Sequence, residues 1–281
     1  MKKTKILSIL LSILILLLIS FVPSRAEPTY IDPDSEFRAV WLSPIVGDFS
    51  SYSSEASFKT EMNNIFTVME YYKLNAMIYH VRTHNNALYK SILNPVASYW
   101  KNVNFNNFDP LEWLIEEAHK KGIEFHAWMN PYRVNSSYYG TSLPANNPAS
   151  NTNNLLTYNS ATILNPGLPN VRAFLIDTVM ELVENYDVDA IHFDDYFYIN
   201  LGANGSLSGA TTILDEPDQT TFVAYSGSYN INSAYDKANW RREQINIFIQ
   251  GLHNELNTYN TTNNKHVQLG IAPTGIYKNG N

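Results

Sequence analysis

The sequence contains no cysteine. A chain without cysteine has no disulfide bonds, no thiolate metal site and no cysteine that could carry a lipid anchor. Its stability must therefore come from a hydrophobic core, and its 281 residues are enough to build one.

Charged residues are also scarce, at 16% of the chain, and the formal net charge is −7. The basic residues are scattered and form no stripe, which argues against nucleic acid as a partner. Aromatic residues, by contrast, reach 13% and include 19 tyrosines. Aromatic faces can stack on the apolar faces of sugars, but core packing would explain the same composition.

Long apolar runs are absent except at the N-terminus. There, three lysines within the first five residues precede an apolar run over residues 6–22, and the small residues Ser24 and Ala26 follow at the two positions that a signal peptidase reads. This pattern is typical of a secretory signal peptide, so we expect residues 1–26 to be cleaved and the protein to be secreted or associated with the cell envelope. An uncleaved membrane anchor is the alternative. After cleavage we expect no stable membrane insertion, because no other stretch is long and apolar enough to span a bilayer.

The remaining residues, 27–281, alternate short apolar strands with amphipathic helices, which predicts one parallel α/β domain. The expected strands cover residues 37–44, 75–82, 123–131, 189–197 and 266–275. The length matches the roughly 250 residues of a (β/α)8 barrel, but two expected long loops, 132–170 and 198–232, use much of it. We therefore expect the N-terminal part of a TIM-type barrel that stops after its fifth strand.

The fourth expected strand, in "DAIHFDDYFY", mixes apolar and ionisable residues. Barrel strands alternate between residues that face the helices and residues that face the axis. Apolar Ile191 and Phe193 should face the helices, so His192 and Asp194 should face the axis, and Asp195 should begin the following loop. In this architecture function sits at the carboxyl ends of the strands. The residues expected there are Ser43, Arg82, Trp128, Asn130, Asp194, Asp195 and Thr274.

A glycoside hydrolase needs an acid near the leaving oxygen and a second carboxylate that attacks the sugar or activates water. The side chains of adjacent aspartates diverge, so Asp194 and Asp195 are not expected to face one glycosidic bond together. Strand alternation favours Asp194 as the carboxylate that does the chemistry. The candidates for its partner within this chain are weak and lie in loops: Asp48, Asp215, Glu216 and Asp218.

Two other functions remain open from the residues alone. The first is a barrel that binds glycans without cleaving them. The second is a metal-dependent deacetylase or hydrolase that uses His126, His192 and Asp194 as ligands. The segment "HVRTH" lacks the glutamate and spacing of a zinc-protease motif, and we expect neither a metal nor another cofactor.

Several segments together resemble the family-10-like bacterial glycosylhydrolases. They are "FRAVWLSP", "YHVRTHNNALYKS", "EFHAWMNPYR", "DAIHFDDYFY" and "GIAPTGIYKNG", and the resemblance covers nearly all of the mature chain. It implies a (β/α)8 barrel that cleaves a bacterial glycan, and one group of the family resembles a cell-division hydrolase of peptide-free peptidoglycan strands. The implied partner is therefore a polysaccharide built from amino sugars.

The resemblance also implies roles for particular residues. It makes Asp194 and Asp195 the catalytic acids at the end of the fourth strand. The residues that it implies as the lining of the sugar cleft are Arg82, His126, Trp128, Asn130, Tyr132, Arg133, His192 and Tyr196.

Overall fold

The computed structural model describes residues 36–134, 143–158, 161–199 and 217–273. Residues 37–281 form one compact unit, and of a separate N-terminal unit, residues 1–36, only Glu36 is described. The expected signal segment, 1–26, thus lies outside the described residues. Across the described ranges, every helix is too short or too polar to cross a membrane.

The main sheet has five parallel strands in the order β1-β2-β3-β7-β8. These strands are β1 (Ala39–Leu42), β2 (Ala76–Arg82), β3 (Glu124–Met129), β7 (Ala190–Phe193) and β8 (Gln268–Ile271). The chain passes through helices between them: α1 (Glu55–Tyr71), α2 (Pro110–Lys120), α3 (Pro169–Asn185), α4 (Gln219–Tyr225) and α5 (Ala234–Asn263). The predicted fold class is confirmed: this is a parallel α/β sheet of the barrel type, which does not close within the described residues.

Local sequence explains where the helices begin and end. Asp109 accepts hydrogen bonds from the backbone nitrogens of Leu111 and Glu112, and Pro110 occupies the first position of α2. Both residues are favoured at these sites, because the first turn of a helix has donors without acceptors and proline lacks one such donor. Gly122 follows α2 with a positive φ of 68°, which a glycine adopts at little cost.

The prediction of one long loop over residues 132–170 is wrong. This segment contains an antiparallel sheet built from β4 (Arg133–Val134), β5 (Leu155–Tyr158) and β6 (Ala161–Leu164), in the order β4-β6-β5. Leu156 and Ile163 of this sheet are buried in the main core. Each strand has at most four residues, so its two-residue alternation was too short to stand out among the surrounding polar residues.

The second expected loop, 198–232, contains the short helix α4, and a buried ion cluster ties this segment to α5. The carboxylate of Asp218, which is 1% exposed, lies 2.9 Å from Lys237 Nζ and accepts a 2.6 Å hydrogen bond from Arg241 Nε. It also accepts a 2.6 Å hydrogen bond from the hydroxyl of Tyr198, which follows β7. Asp218 thus joins the end of β7 to both helices.

We expect Asp218→Asn to lower the free energy of unfolding by about 3–5 kcal/mol, because the change leaves two buried cations without their carboxylate. Asp187→Asn is the matched control, since Asp187 pairs with Lys265 at 2.6 Å at the surface. Asp187→Asn should lower the free energy of unfolding by less than about 1 kcal/mol. Urea denaturation of both variants measures the difference, and equal losses would contradict the importance of the buried cluster.

Candidate active site

His192, which was expected to face the barrel axis, shares one side of the sheet with residues of the neighbouring strands. Strand register places His80, Trp128, His192 and Gly270 next to one another on β2, β3, β7 and β8. The ring of His80 stacks on Trp128 with centroids 3.7 Å apart. Trp41 of β1 meets Trp128 at 4.8 Å and His192 at 4.6 Å, in both cases edge to face. The rings of Trp41, His80, Trp128 and His192 therefore form a continuous aromatic floor.

Gly270 has a steric role in this floor. A Cβ atom at this position would lie 2.8 Å from Nδ1 of His192, closer than real Cβ contacts allow. The glycine therefore lets the imidazole approach the backbone of β8 closely. A glycine inside a strand is the available sequence signal for such a close approach, and sequence reasoning assigned Gly270 no role.

Asp194 is held by hydrogen-bond donors from two strands. Its Oδ2 accepts from the indole nitrogen of Trp128 and from Asn130 Nδ2, both at 3.2 Å. Its Oδ1 accepts from the backbone nitrogen of Tyr196 at 3.1 Å. An ionised carboxylate accepts hydrogen bonds without donating any, so these donors are complementary to the charged form. The side chain is half-buried, which leaves part of it open above the aromatic floor.

Asn130 connects four parts of this edge and is fully buried. Its backbone nitrogen donates to the Arg82 carbonyl at 2.8 Å, and its own carbonyl accepts from the Arg82 guanidinium. Its side-chain oxygen accepts from the backbone nitrogen of Arg133 at 3.1 Å, so its amide nitrogen faces Asp194. The orientation of the amide is fixed by these contacts, and with it the position of the carboxylate.

Arg133 and Tyr196 complete a closed path of contacts around Asp194. The guanidinium carbon of Arg133 lies 4.1 Å from the ring centroid of Tyr196, in cation–π geometry. Both side chains are half-buried. Five of the residues implied as cleft lining thus gather around the Asp194 carboxylate or on the floor beside it: Trp128, Asn130, Arg133, His192 and Tyr196.

Arg82 and Tyr132 lie beneath the surface, which corrects their expected place in the lining. The Arg82 guanidinium is buried and donates to the carbonyls of Asn130 and Pro131, and to the side chain of Asn85. Tyr132 is also buried, with its ring 5.5 Å from that of Phe248. The register of β2 shifts between His80 and Arg82, and Tyr132 lies beyond the end of β3, so strand alternation did not reveal these orientations.

Asp195 and His126 lie apart from the Asp194 carboxylate. β7 ends at Phe193, and Asp195 is exposed in the turn that follows. His126 is 6% exposed, and its Nε2 pairs with Glu124 at 3.0 Å. In the part of the chain that the structure describes, no three His, Asp or Glu side chains converge as a metal site would require. The ligand set expected for the metal-dependent alternative, His126 with His192 and Asp194, is therefore not assembled.

Two of the loop candidates for a second carboxylate are already engaged. Asp218 is enclosed in the ion cluster with Lys237 and Arg241. The exposed Asp48 accepts a 2.8 Å hydrogen bond from the backbone nitrogen of Ser43, at the end of β1. Asp215 and Glu216 lie outside the described residues.

The histidines of this edge favour their neutral forms. Burial, together with the charges of His84 and Arg133, lowers the pKa of His80 to about 3. Burial also lowers the pKa of His84 to about 4, and burial and the nearby His126 lower that of His192. Nε2 of His80 and of His192 is buried without a hydrogen-bond partner, where a proton would be costly. At neutral pH the floor therefore carries no imidazolium charge.

This arrangement can bind and polarise a sugar. An aromatic surface offers stacking to the apolar face of a ring, and the fixed carboxylate can stabilise positive charge that develops on an anomeric carbon.

Known proteins with similar sequences are described as glycosyl hydrolases. Residues 36–281 match the family model described as glycosyl hydrolase-like 10. The chain is 30% identical to the glycosyl hydrolase YngK of Bacillus subtilis (strain 168), over 98% of this chain and 51% of that protein. It is 29% identical to the glycosyl hydrolase DigH of Escherichia coli (strain K12), over 91% of this chain and 59% of that protein.

The chain therefore spans little more than half the length of these curated relatives. Among solved structures it is similar to the alpha-galactosidase from Lactobacillus brevis, with 12% sequence identity and a TM-score of 0.46. That similarity covers 85% of this chain and 27% of the other.

The lowered pKa of His80 predicts how stability depends on pH. Its folded pKa, about 3, lies below the roughly 6.5 of an unfolded histidine. As the pH falls through this window the unfolded chain binds a proton first, so the free energy of unfolding should decrease. In His80→Gln that contribution is absent. Denaturation measured near neutral pH and near pH ~4.5 gives the decrease in the free energy of unfolding between the two conditions. This decrease should be smaller in His80→Gln than in the wild type, and equal decreases would show that His80 is not held neutral.

Proposed function

The chain belongs to the glycosyl hydrolase-like 10 family, and on this basis we propose that the protein hydrolyses glycosidic bonds in a glycan of the bacterial envelope. The proposed site is the strand-end edge around Asp194. The observation that carries the proposal is the set of three donors, from Trp128, Asn130 and Tyr196, that fixes this carboxylate beside the aromatic floor.

Asp194 acts in this proposal as an ionised carboxylate. The transition state of glycoside hydrolysis carries positive charge on the sugar ring, and a fixed negative charge nearby stabilises it. The same carboxylate can attack the anomeric carbon, or orient a water molecule that does so, as the glycosidic bond breaks and a second acidic group gives a proton to the leaving oxygen. The donors prevent it from rotating away, so little reorganisation is needed when the charge develops.

The floor supplies substrate binding. Trp41 is 38% exposed, and it stands edge-on between Trp128 and His192. Stacking of a sugar on such rings depends little on charge, so the neutral floor can bind an uncharged sugar. A chain of sugars can therefore lie across the floor with one linkage near Asp194.

We further propose peptidoglycan-type amino-sugar strands as the substrate class and an extracytoplasmic location. The support is the N-terminal pattern over residues 1–26 and the resemblance of the strand-end segments. An exported protein meets the glycans of the cell envelope directly. Hydrolysis of these bonds requires water and carboxyl groups, and the proposal invokes no cofactor.

Asp194→Asn should reduce the turnover of peptide-free peptidoglycan strands by about 10²–10⁴-fold in the intact protein, as expected when a group that acts in the transition state is removed. The matched control is Asp187→Asn, which changes an exposed aspartate before the amino end of the same strand. Chromatography of the released fragments measures both.

Equal turnover by wild type and Asp194→Asn would refute the assignment of Asp194. Binding of the glycan by wild type without any product would instead identify a glycan-binding protein. Turnover that a chelator abolishes and zinc restores would identify metal-dependent chemistry.

A further inference from the structure

Arg133 places a positive charge at the proposed active site. Its guanidinium rests on the ring of Tyr196, and its backbone nitrogen is held by Asn130. Tyr196 and Asn130 are also the residues that hold Asp194. The guanidinium is therefore fixed to the same small unit as the proposed catalytic carboxylate, on a half-buried side chain.

Within the part of the chain that the structure describes, the charge of Arg133 has no carboxylate partner. Among the residues that the structure describes, no carboxylate lies within ion-pair distance of this guanidinium, and Asp194 is no exception. The buried Arg82 nearby is bonded to neutral acceptors, the carbonyls of Asn130 and Pro131 and the side chain of Asn85. Two guanidinium charges thus stand at this edge without a paired carboxylate among the described residues.

The charge of Arg133 also reaches the floor. Together with burial, it contributes to the lowered pKa of both His80 and His84. Arg133 therefore acts on the side of the sheet where the substrate is proposed to bind. Because those histidines are neutral, an anion that approaches this part of the site meets the guanidinium as its charged partner.

We infer that Arg133, supported on Tyr196, binds a carboxylate group carried by a sugar of the substrate glycan. The inference rests on the proposed function and assigns a specificity residue to the same site. An arginine suits this role because its planar donors match the two oxygens of a carboxylate. Stacking on Tyr196 restricts the side chain before the ligand arrives, which reduces the entropy lost on binding.

Peptidoglycan-type strands provide such a group. Every second amino sugar of these strands carries a lactyl ether, and its carboxylate is free once the peptide has been removed. A strand of N-acetylglucosamine alone has the same kind of backbone without the carboxylate. The two polymers therefore differ in the feature that Arg133 is inferred to recognise.

The test measures dissociation constants by calorimetry in the intact protein, in an Asp194→Asn background that limits turnover. The two ligands are a tetrasaccharide of alternating N-acetylglucosamine and N-acetylmuramic acid, and a tetrasaccharide of N-acetylglucosamine. The first should bind about tenfold more tightly, the usual scale of one charge-assisted hydrogen-bonded contact. Added salt should reduce this preference.

Arg133→Gln should remove the preference, because it weakens binding of the tetrasaccharide that contains muramic acid about tenfold more than binding of the neutral one. Arg133→Lys, which keeps the charge but not the planar donors, should retain part of the preference. Arg242→Gln is the matched control, because it removes an exposed arginine on α5 and should leave the preference intact. Thermal unfolding checks that each variant is folded.

Equal affinity of the Asp194→Asn protein for both ligands would overturn the inference. So would a preference that survives Arg133→Gln, or a loss of affinity in Arg133→Gln that is equal for both ligands. In each of these cases the proposed function would still stand. Binding of neither ligand would overturn the proposed function together with the inference.

Discussion

The carboxyl edge of the main sheet is held together by the hydrogen bonds of one buried residue, Asn130. Its backbone groups join β3 to Arg82 at the end of β2, and its side chain joins Asp194 beyond β7 to the backbone of Arg133. Because the amide is fully buried, each of these bonds would be costly to leave unmade. Three segments of chain are therefore held in one arrangement, and Asp194 has one orientation within it.

Strand alternation was enough to predict a large part of this site from the sequence. Apolar Ile191 and Phe193 are buried on the helix side, and His192 and Asp194 appear on the other side, as the period of two requires. Trp128, which was expected at a strand end, lies beside His192 in the strand register. Parallel strands bring their carboxyl ends to one edge, so residues far apart in the sequence could be grouped in advance.

The features that sequence reasoning missed lie where no periodicity constrains the chain. Beyond the end of β3, Tyr132 turns into the core and Arg133 turns to the surface, and no local pattern distinguishes them. The strands β5 and β6 are too short for a clear alternation. The steric role of Gly270 depends on the position of an imidazole on the neighbouring strand, which is a tertiary contact.

The charges of the edge follow from these positions. Burial keeps the histidines of the floor neutral. Asp194 and Arg133 both contact Asn130 and Tyr196, but they do not form an ion pair with each other. The result is a neutral stacking surface with separate negative and positive groups at its rim. A glycan can use the surface for binding, and the two charged groups for chemistry and for selection.

The most direct test of this account is a crystal structure of the intact protein with an amino-sugar oligosaccharide bound. The account predicts that sugars lie on the floor, against its partly exposed rings Trp41, Trp128 and His192, with an anomeric carbon within about 3.5 Å of an Asp194 oxygen. An oligosaccharide bound elsewhere, or bound here with every anomeric carbon beyond the reach of Asp194, would contradict it.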